Sequence, residues 1–407
     1  MTHRDEAADR EGTSRTMLIH RVIGRLNVGG PAMHVVNLAR AMERHGFRTR
    51  LLVDTMADSE GDMTWYARER GVSVTQVPEL GRPVRARADA VAFFHLLRWF
   101  QRERPQVVHT HTAKAGALGR VAAALAGVPV RVHTFHGHVL GGGYFGPRTT
   151  GVYRHVERQL ARLTHRIVVL SERQKAELSE DVRVAPASRM AVIPLGLELD
   201  RFAELDREAR RGPVRRSLGI GAEERVVGIV GRLVPIKNHV LLFHAVRGLL
   251  DRGAEPFRVL VVGGGSDQEV LRRQAAEEGI EDRVMWLGWR DDLPDLHSAM
   301  DVLALPSRDE GTPVAVIEAG AAGTPVVARD VGGVADVMTA GVPGRLVPAE
   351  DPILFGDALE AELRHRRAPD HEARHRVASR YSVARLANDL AELYARELGY
   401  DIVGPPV

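Results

Sequence analysis

Pro306-Ser307-Arg308-Asp309-Glu310-Gly311-Thr312-Pro313 follows the apolar run Val302–Leu305 and leads into Val314-Ala315-Val316-Ile317-Glu318-Ala319. The order reads as strand, short loop, helix. Gly311 gives the loop backbone freedom, and Pro313 suits the first turn of a helix. The unpaired N–H groups of that helix start face the strand ends, which makes a site for an anion. Glu310 and Glu318 are separated by seven residues. The first lies in the loop and the second in the helix's second turn. Carboxylates accept hydrogen bonds from hydroxyls, and sugars and ribose present hydroxyls in pairs. The bland alternative makes Glu310 a helix cap and Glu318 a solvated position. Against it, Glu318 sits among Val314, Ala315, Val316, Ile317, Ala319 and Ala321. A carboxylate in so apolar a helix is costly without a partner.

Working outward, short β-rich runs alternate with longer amphipathic stretches along the chain. Leu18–Ile23, Thr49–Val53, Val72–Val77, Val107–Thr110, Val130–Phe135 and Arg166–Leu170 read as strands of a first series. Between the last two, only Tyr153–Leu163 reads as helix. Val226–Val230, Arg258–Val262, Arg283–Leu287, Val302–Leu305, Pro325–Val327 and Gly344–Val347 form a second. Such β-α repeats predict an α/β fold of two Rossmann-like, doubly wound domains facing a deep cleft, with ligands at the carboxyl ends of the strands. The expected division is a disordered tail over 1–16, an N-terminal domain over 17–196 and a C-terminal domain over 197–380. Residues 381–407 then supply an amphipathic helix, packing back on the N-terminal domain, and a loose Gly/Pro tail. Leu197–Gly221 reads as a linker with one short helix.

The second series holds further candidates. Gly231-Arg232-Leu233-Val234-Pro235-Ile236-Lys237-Asn238 closes its first strand and opens a helix. Cations near a helix N-terminus oppose its dipole unless an anion is present. Arg232 and Lys237 can neutralise a diphosphate, the arginine as a fork and the lysine as a point charge; the alternative is a surface-exposed basic pair at a helix start. Lys237 is one of only three lysines, with Lys114 and Lys175. Val261-Val262-Gly263-Gly264-Gly265 is a weaker strand-to-glycine turn. It lacks the full Gly-x-Gly-x-x-Gly spacing that would argue for a dinucleotide. In Trp286-Leu287-Gly288-Trp289-Arg290, Arg290 is a candidate to stack on a base, whereas Trp286 reads as core.

The glutamate stretch, with Gly320-Ala321-Ala322-Gly323-Thr324-Pro325 behind it, resembles the Glu-x7-Glu motif of family 4 retaining glycosyltransferases of the GT-B fold. That resemblance runs from about residue 17 onward. It implies that Glu310 binds donor-sugar hydroxyls and Glu318 the ribose. It also implies contacts from Gly311, Thr312, Pro313 and Val314 to phosphate and sugar, with Arg232 and Lys237 on the diphosphate and Gly264 near the nucleotide. Asn27-Val28-Gly29-Gly30-Pro31 is similar to the family's Gly-Gly loop, so that Gly30 approaches the donor and Gly29 the acceptor. His136, in His133-Thr134-Phe135-His136-Gly137-His138, matches the family's active-site histidine. His111, Lys114, His138 and Tyr144 fall on the acceptor side, in segments similar to transferases of exopolysaccharide and capsule assembly. In Pro194-Leu195-Gly196, Leu195 replaces the asparagine usual in the family, so the contact of that asparagine is not carried over.

The reading is therefore a metal-independent transferase that needs no cofactor. Its donor substrate is a nucleotide-diphosphate sugar, UDP favoured over GDP by analogy, and its acceptor a glycan or lipid-linked sugar. The alternatives are an epimerase or hydrolase acting on the donor alone, and a binding protein without catalysis. A zinc site in the histidine clusters lacks a carboxylate or cysteine to complete it. Composition narrows the rest. Among 407 residues there is no cysteine, which excludes disulfides and thiolate sites, and a net charge of +3 with 5% aromatics does not indicate nucleic acid. No apolar run spans a bilayer, and the polar start has no secretory character, so a cytoplasmic location is expected. The helix read over Val84–Arg104 carries arginines with Phe93, Phe94, Trp99 and Phe100. It is either a core helix with a solvated face or a peripheral membrane contact.

Overall fold

The computed structural model describes residues 16–26, 30–54, 63–81, 84–137, 140, 146–254, 257–365 and 370–400. Seven parallel strands form the first sheet: β1 Met17–Val22, β2 Phe47–Val53, β3 Ser73–Gln76, β4 Val107–His111, β5 Val130–Thr134, β6 Arg166–Val169 and β7 Met190–Val192. Their spatial order is β3-β2-β1-β4-β5-β6-β7. The second sheet has six: β8 Arg225–Val230, β9 Phe257–Val262, β10 Val284–Gly288, β11 Val302–Leu305, β12 Val326–Arg329 and β13 Gly344–Val347. Their order is β10-β9-β8-β11-β12-β13. In both sheets the winding reverses beside the first strand, at β1/β4 and at β8/β11. The crevice outside the strand ends at such a reversal is where open α/β sheets bind ligands.

The second sheet shows why these segments are strands. Adjacent residues of one strand enter opposite cores. Val226, Leu260, Leu303 and Val326 pack on one face, and Val227, Val259, Val302 and Val327 on the other. A strand buried on both faces must be apolar without alternation, as these are. The helix Val314–Ala322 lies on the first of those faces through Val316, Ile317 and Ala319.

The chain returns to the first sheet at its end. Leu386, Leu390 and Tyr394 of the helix Val383–Leu398 are buried with Ile19, Leu38 and Val107. The outgoing and returning segments run side by side, Leu197 N–H donating to the Tyr381 carbonyl at 2.7 Å. At Gly196 a β-carbon would come within 2.8 Å of the Leu386 side chain and 3.0 Å of the Ser382 carbonyl, so the crossing admits only glycine there without movement.

Three features differ from the reading of the sequence. The stretch after Leu197 holds two helices, Asp200–Ala203 and Arg207–Ser217, and the second tolerates Pro213. The helix expected from Tyr153 begins at Pro147, because proline at the first helical position fits and Gly151 does not break it. Met190–Val192 is a seventh strand, too short to show a period. No helix among the described residues is long and apolar enough to cross a membrane.

Helices Ala113–Leu125 and Pro147–Arg162 are joined by a buried ion pair. Arg120 Nη2 donates to both Glu157 oxygens at 3.1 and 2.9 Å, with the two side chains 0% and 8% exposed. Removing one partner strands a charge in the interior. Glu157→Ala is expected to lower the unfolding free energy by about 3–5 kcal/mol, and the double replacement Arg120→Met/Glu157→Leu by much less. Urea titration of the variants checks this.

Candidate active site

The loop after β11 is built around Glu310. Ser307, fully buried at the strand end, donates its hydroxyl to Glu310 Oε1 at 2.7 Å. Lys237 Nζ reaches the same oxygen at 2.5 Å. Lys237 closes the short turn Pro235–Lys237 after β8, and its aliphatic chain passes over Gly231. A lysine and a glutamate from two neighbouring βα loops are thus joined at the strand ends. Oε2 of Glu310 has no hydrogen-bond partner among the described residues. Arg308 N–H donates to the Ile236 carbonyl at 2.8 Å, which ties the two loops together by backbone as well.

Close backbone approach shapes the pocket floor. A β-carbon on Gly332 would lie 1.8 Å from the Glu310 carbonyl, and one on Gly333 would lie 2.3 Å from that of Gly311. Gly333 N–H donates to the Glu310 carbonyl at 3.0 Å. Thr312 and Val314 are half-buried and Pro313 buried at the start of the helix Val314–Ala322. Gly311 faces the other lobe: a β-carbon there would come within 2.4 Å of the His136 carbonyl. The two lobes therefore meet at this glycine.

Glu318 is half-buried and accepts no hydrogen bond from the described residues. Loss of water raises its pKa to about 7, against which Arg201 pulls down. Arg232 is exposed and has no partner among the described residues. Gly264 packs under Trp289, whose Nε1 would be 2.6 Å from a β-carbon at that position. Arg290 is exposed, and its guanidinium is held by Asp292, Nε to Oδ1 at 2.8 Å and Nη2 to Oδ2 at 2.5 Å. It can therefore offer its flat face to a base but not its fork. Trp286 packs against the core beside Phe243, as its reading required.

Across the cleft, His136 is half-buried after β5, and burial pushes its pKa down to about 4. It is neutral at physiological pH. His111, at the end of β4, is fully buried, so it does not itself face an acceptor. Its Nδ1 lies 2.9 Å from His136 Nε2. His111 stacks on His109, the rings 4.5 Å apart. His109 Nδ1 accepts from Arg21 at 3.1 Å and from the Tyr394 hydroxyl at 2.5 Å, so Nε2 carries the proton and donates to Thr134 at 2.6 Å. His34 meets the His136 ring edge-on at 5.2 Å. The histidines thus form a layer of neutral rings behind His136. Among the described residues no group of three potential ligands stands ready for a metal ion.

The remaining expected positions divide. Gly30 opens the first helix, Gly30–Ala41. Gly29, His138 and Tyr144 lie outside the described residues. Lys114 is engaged with Asp89 at 2.6 Å and with the Glu79 carbonyl at 2.9 Å, on the side of the neighbouring helix. The reading of the sequence missed Ser307, Gly332, Gly333 and His34. Gly332-Gly333 follows β12 as Gly263-Gly264 follows β9, a signal that was available. His34 lies inside a helix with no local mark of its role.

Comparison with known proteins identifies the family. The family model described as glycosyl transferases group 1 matches residues 211–380, and that of glycosyltransferase family 4 matches residues 28–201. The D-inositol 3-phosphate glycosyltransferase of Corynebacterium aurimucosum is 30% identical over 401 residues, covering 93% of this chain and 94% of that protein. The UDP-Gal:alpha-D-GlcNAc-diphosphoundecaprenol alpha-1,3-galactosyltransferase of Escherichia coli is 28% identical over 353 residues, covering 84% and 88%. Among solved structures, HepE of Anabaena in complex with UDP and glucose superposes with a TM-score of 0.78 at 20% identity, covering 93% of this chain and all of that one, and so shares the fold. With two parallel sheets, a Lys237–Glu310 pair at the strand ends of the second and relatives that are transferases rather than epimerases or hydrolases, the chain belongs to the family 4, group 1 glycosyltransferases of the GT-B fold.

Proposed function

We propose that the chain transfers a hexosyl or N-acetylhexosaminyl group from a UDP-sugar to a lipid-linked glycan, with retention at the anomeric carbon. The observation that carries this is the Lys237–Glu310 pair at the strand ends, with Arg232 exposed on the same loop as Lys237. The pair brings together a cation for the β-phosphate and a carboxylate, with Oε2 open, for sugar hydroxyls. UDP as the nucleotide and a lipid-linked acceptor are supported by the donor and acceptor named for the Escherichia coli relative and by UDP in the Anabaena protein. The donor-side set is Gly30, Arg232, Lys237, Gly264, Arg290, Glu310, Gly311, Thr312, Pro313, Val314 and Glu318. Of the acceptor-side set, Gly29, His138 and Tyr144 remain as proposed. His111 acts there through His136, and Lys114 stays in the set while paired with Asp89.

The chemistry follows from those positions. As the bond between C1 and the phosphate oxygen lengthens, charge accumulates on the diphosphate. Arg232, Lys237 and the N–H groups at the start of Val314–Ala322 stabilise it. The acceptor oxygen bonds to C1 on the face the phosphate leaves, and its proton passes to the departing phosphate oxygen. Neutral His136 holds the sugar or the acceptor hydroxyl as a hydrogen-bond partner. Glu318 accepts from the ribose hydroxyls, which supply the partners its half-buried carboxylate lacks. No step requires a cofactor, since the cations and the helix start carry the charge.

Two outcomes are expected. Lys237→Ala and Glu310→Ala should each reduce turnover of UDP-sugar by about 10²–10³-fold, with the far-ultraviolet circular dichroism unchanged. Wild-type rates in either would refute the assignment. Glu318 has a folded-state pKa raised from 4.5 to about 7, so the folded protein holds a proton that the unfolded chain has released. Its contribution to stability is therefore full below pH 4.5 and is lost as pH rises through 7. Glu318→Gln should stabilise the free protein at pH 8 by about 1–2 kcal/mol, allowing for partial exposure, and weaken UDP binding measured by calorimetry. A variant that binds UDP as wild type does contradicts the ribose role.

A further inference from the structure

The two ring nitrogens of His136 stand in different surroundings. Nε2 lies 2.9 Å from Nδ1 of His111, so one of those two atoms donates to the other. Nδ1 of His136 has no hydrogen-bond partner among the described residues, and its ring is half-buried after β5. Both rings are neutral at physiological pH. Burial, and then the neighbouring rings of His109 and His136, hold the pKa of His111 well below the usual range, and burial does the same for His136. A neutral imidazole carries one proton, and the bond that one nitrogen makes decides which nitrogen holds it. The pair therefore has two arrangements, which differ in the direction of one hydrogen bond.

The buried end of the pair decides between them. His111 is fully buried, and its Nε2 has no partner among the described residues. If that nitrogen held the proton, the interior would keep an N–H with no acceptor, which is costly. It would also add a donor where donors are already in excess. Arg21 can only donate, and while its Nη1 bonds His109, its Nε and Nη2 are buried without acceptors. The positive charge of Arg21 acts on His34, His109 and His111 alike. A lone pair on His111 Nε2 is favoured in that field, and an N–H is not. The proton of His111 thus belongs on Nδ1, where it is used in the bond to His136.

We propose that His111 is a positioning residue: by donating from Nδ1 to His136 Nε2 it fixes His136 as the Nδ1–H tautomer, so that His136 offers the substrate a hydrogen-bond donor and not a base. The lone pair of His136 is engaged by His111, and its Nδ1 has only a proton to give. His34 lies edge-on to the same ring at 5.2 Å, and Gly311 lies against the His136 carbonyl, so ring and backbone are both confined. That His136 meets the substrate rests on the function proposed above. Under it, the oxygen that receives the Nδ1–H bond is a hydroxyl of the donor sugar or of the acceptor. The proton leaving the acceptor hydroxyl has no place on His136 and goes to the departing phosphate oxygen.

The tautomer is read without any sugar nucleotide, from the long-range proton–nitrogen correlation spectrum of the full chain with heavy nitrogen in its histidines, at neutral pH. The His136 signals are those lost in His136→Gln. In the wild type, Nδ1 should show the shift of a protonated nitrogen and Nε2 that of a bare one. His111→Phe keeps a ring there but removes its donor, so His136 should go over to the Nε2–H form that a free neutral imidazole favours. An asparagine's amide nitrogen stands where histidine's Nδ1 does, so His111→Asn should keep the wild-type pattern. Turnover is followed with whichever UDP-hexose the wild type uses. His111→Phe should lower it by at least about tenfold and His111→Asn by much less, with UDP binding unchanged in both. A packing role alone gives the reverse order, since asparagine leaves a cavity and phenylalanine does not. Circular dichroism and urea titration report folding and stability of both variants. A protonated Nε2 on His136 in the wild type, or turnover lost in His111→Asn and kept in His111→Phe, overturns the proposal. A wild type that uses no UDP-hexose counts against the donor assignment instead, and the spectrum still decides the tautomer.

Discussion

A carboxylate and an ammonium held 2.5 Å apart at the end of a parallel sheet set the terms for the rest of the C-terminal lobe. Lys237 and Glu310 come from loops after β8 and β11, the two strands on either side of the reversal in the second sheet. Neither the half-buried lysine nor the buried glutamate could stay there alone without cost. Their pairing, with the Ser307 hydroxyl as a third member, fixes both side chains in the crevice before any donor arrives. On the proposed reading, a donor's phosphate shares Lys237 with Glu310, and its sugar hydroxyls meet the free oxygen of that carboxylate.

Glycine makes the geometry possible. Backbones approach within a β-carbon's reach at Gly311, Gly332 and Gly333, so the loops after β11 and β12 interlock without side chains between them. Gly311 then touches the His136 carbonyl from the opposite lobe. The two halves of the site meet there, and Arg173 and Asp330 pair across the lobes at 3.0 Å as well. The C-terminal helix holds the lobes' common base, since it is buried on the first sheet while its leading segment runs along the interlobe connection. His136 is supported from behind by His111, and that ring stacks on a histidine whose tautomer Arg21, Tyr394 and Thr134 determine.

Much of this was legible in the residues, for physical reasons. Strands buried on both faces are short apolar runs, and glycines with charged residues after them mark strand ends, so the two sheets and the loops around Glu310 and Lys237 could be read directly. What the residues could not show is who meets whom. Nothing local tells that Lys237 lies on Glu310, that Arg290 is held by Asp292 two positions on, or that Lys114 pairs with Asp89. His34 is an ordinary helix position until the fold sets it against His136. The start at Pro147 was missed because a Gly/Pro pair marks a loop and a helix start alike, and the short strand at Met190 because three residues carry no period.

The most direct measurement is a crystal structure of the protein with UDP. The account predicts the pyrophosphate between Arg232, Lys237 and the start of the helix at Val314, with Glu318 accepting from both ribose hydroxyls and Lys237 Nζ bridging Glu310 and the β-phosphate. UDP seated against the first sheet instead, or in the second lobe with Glu318 turned to solvent and Lys237 unmoved, would contradict it.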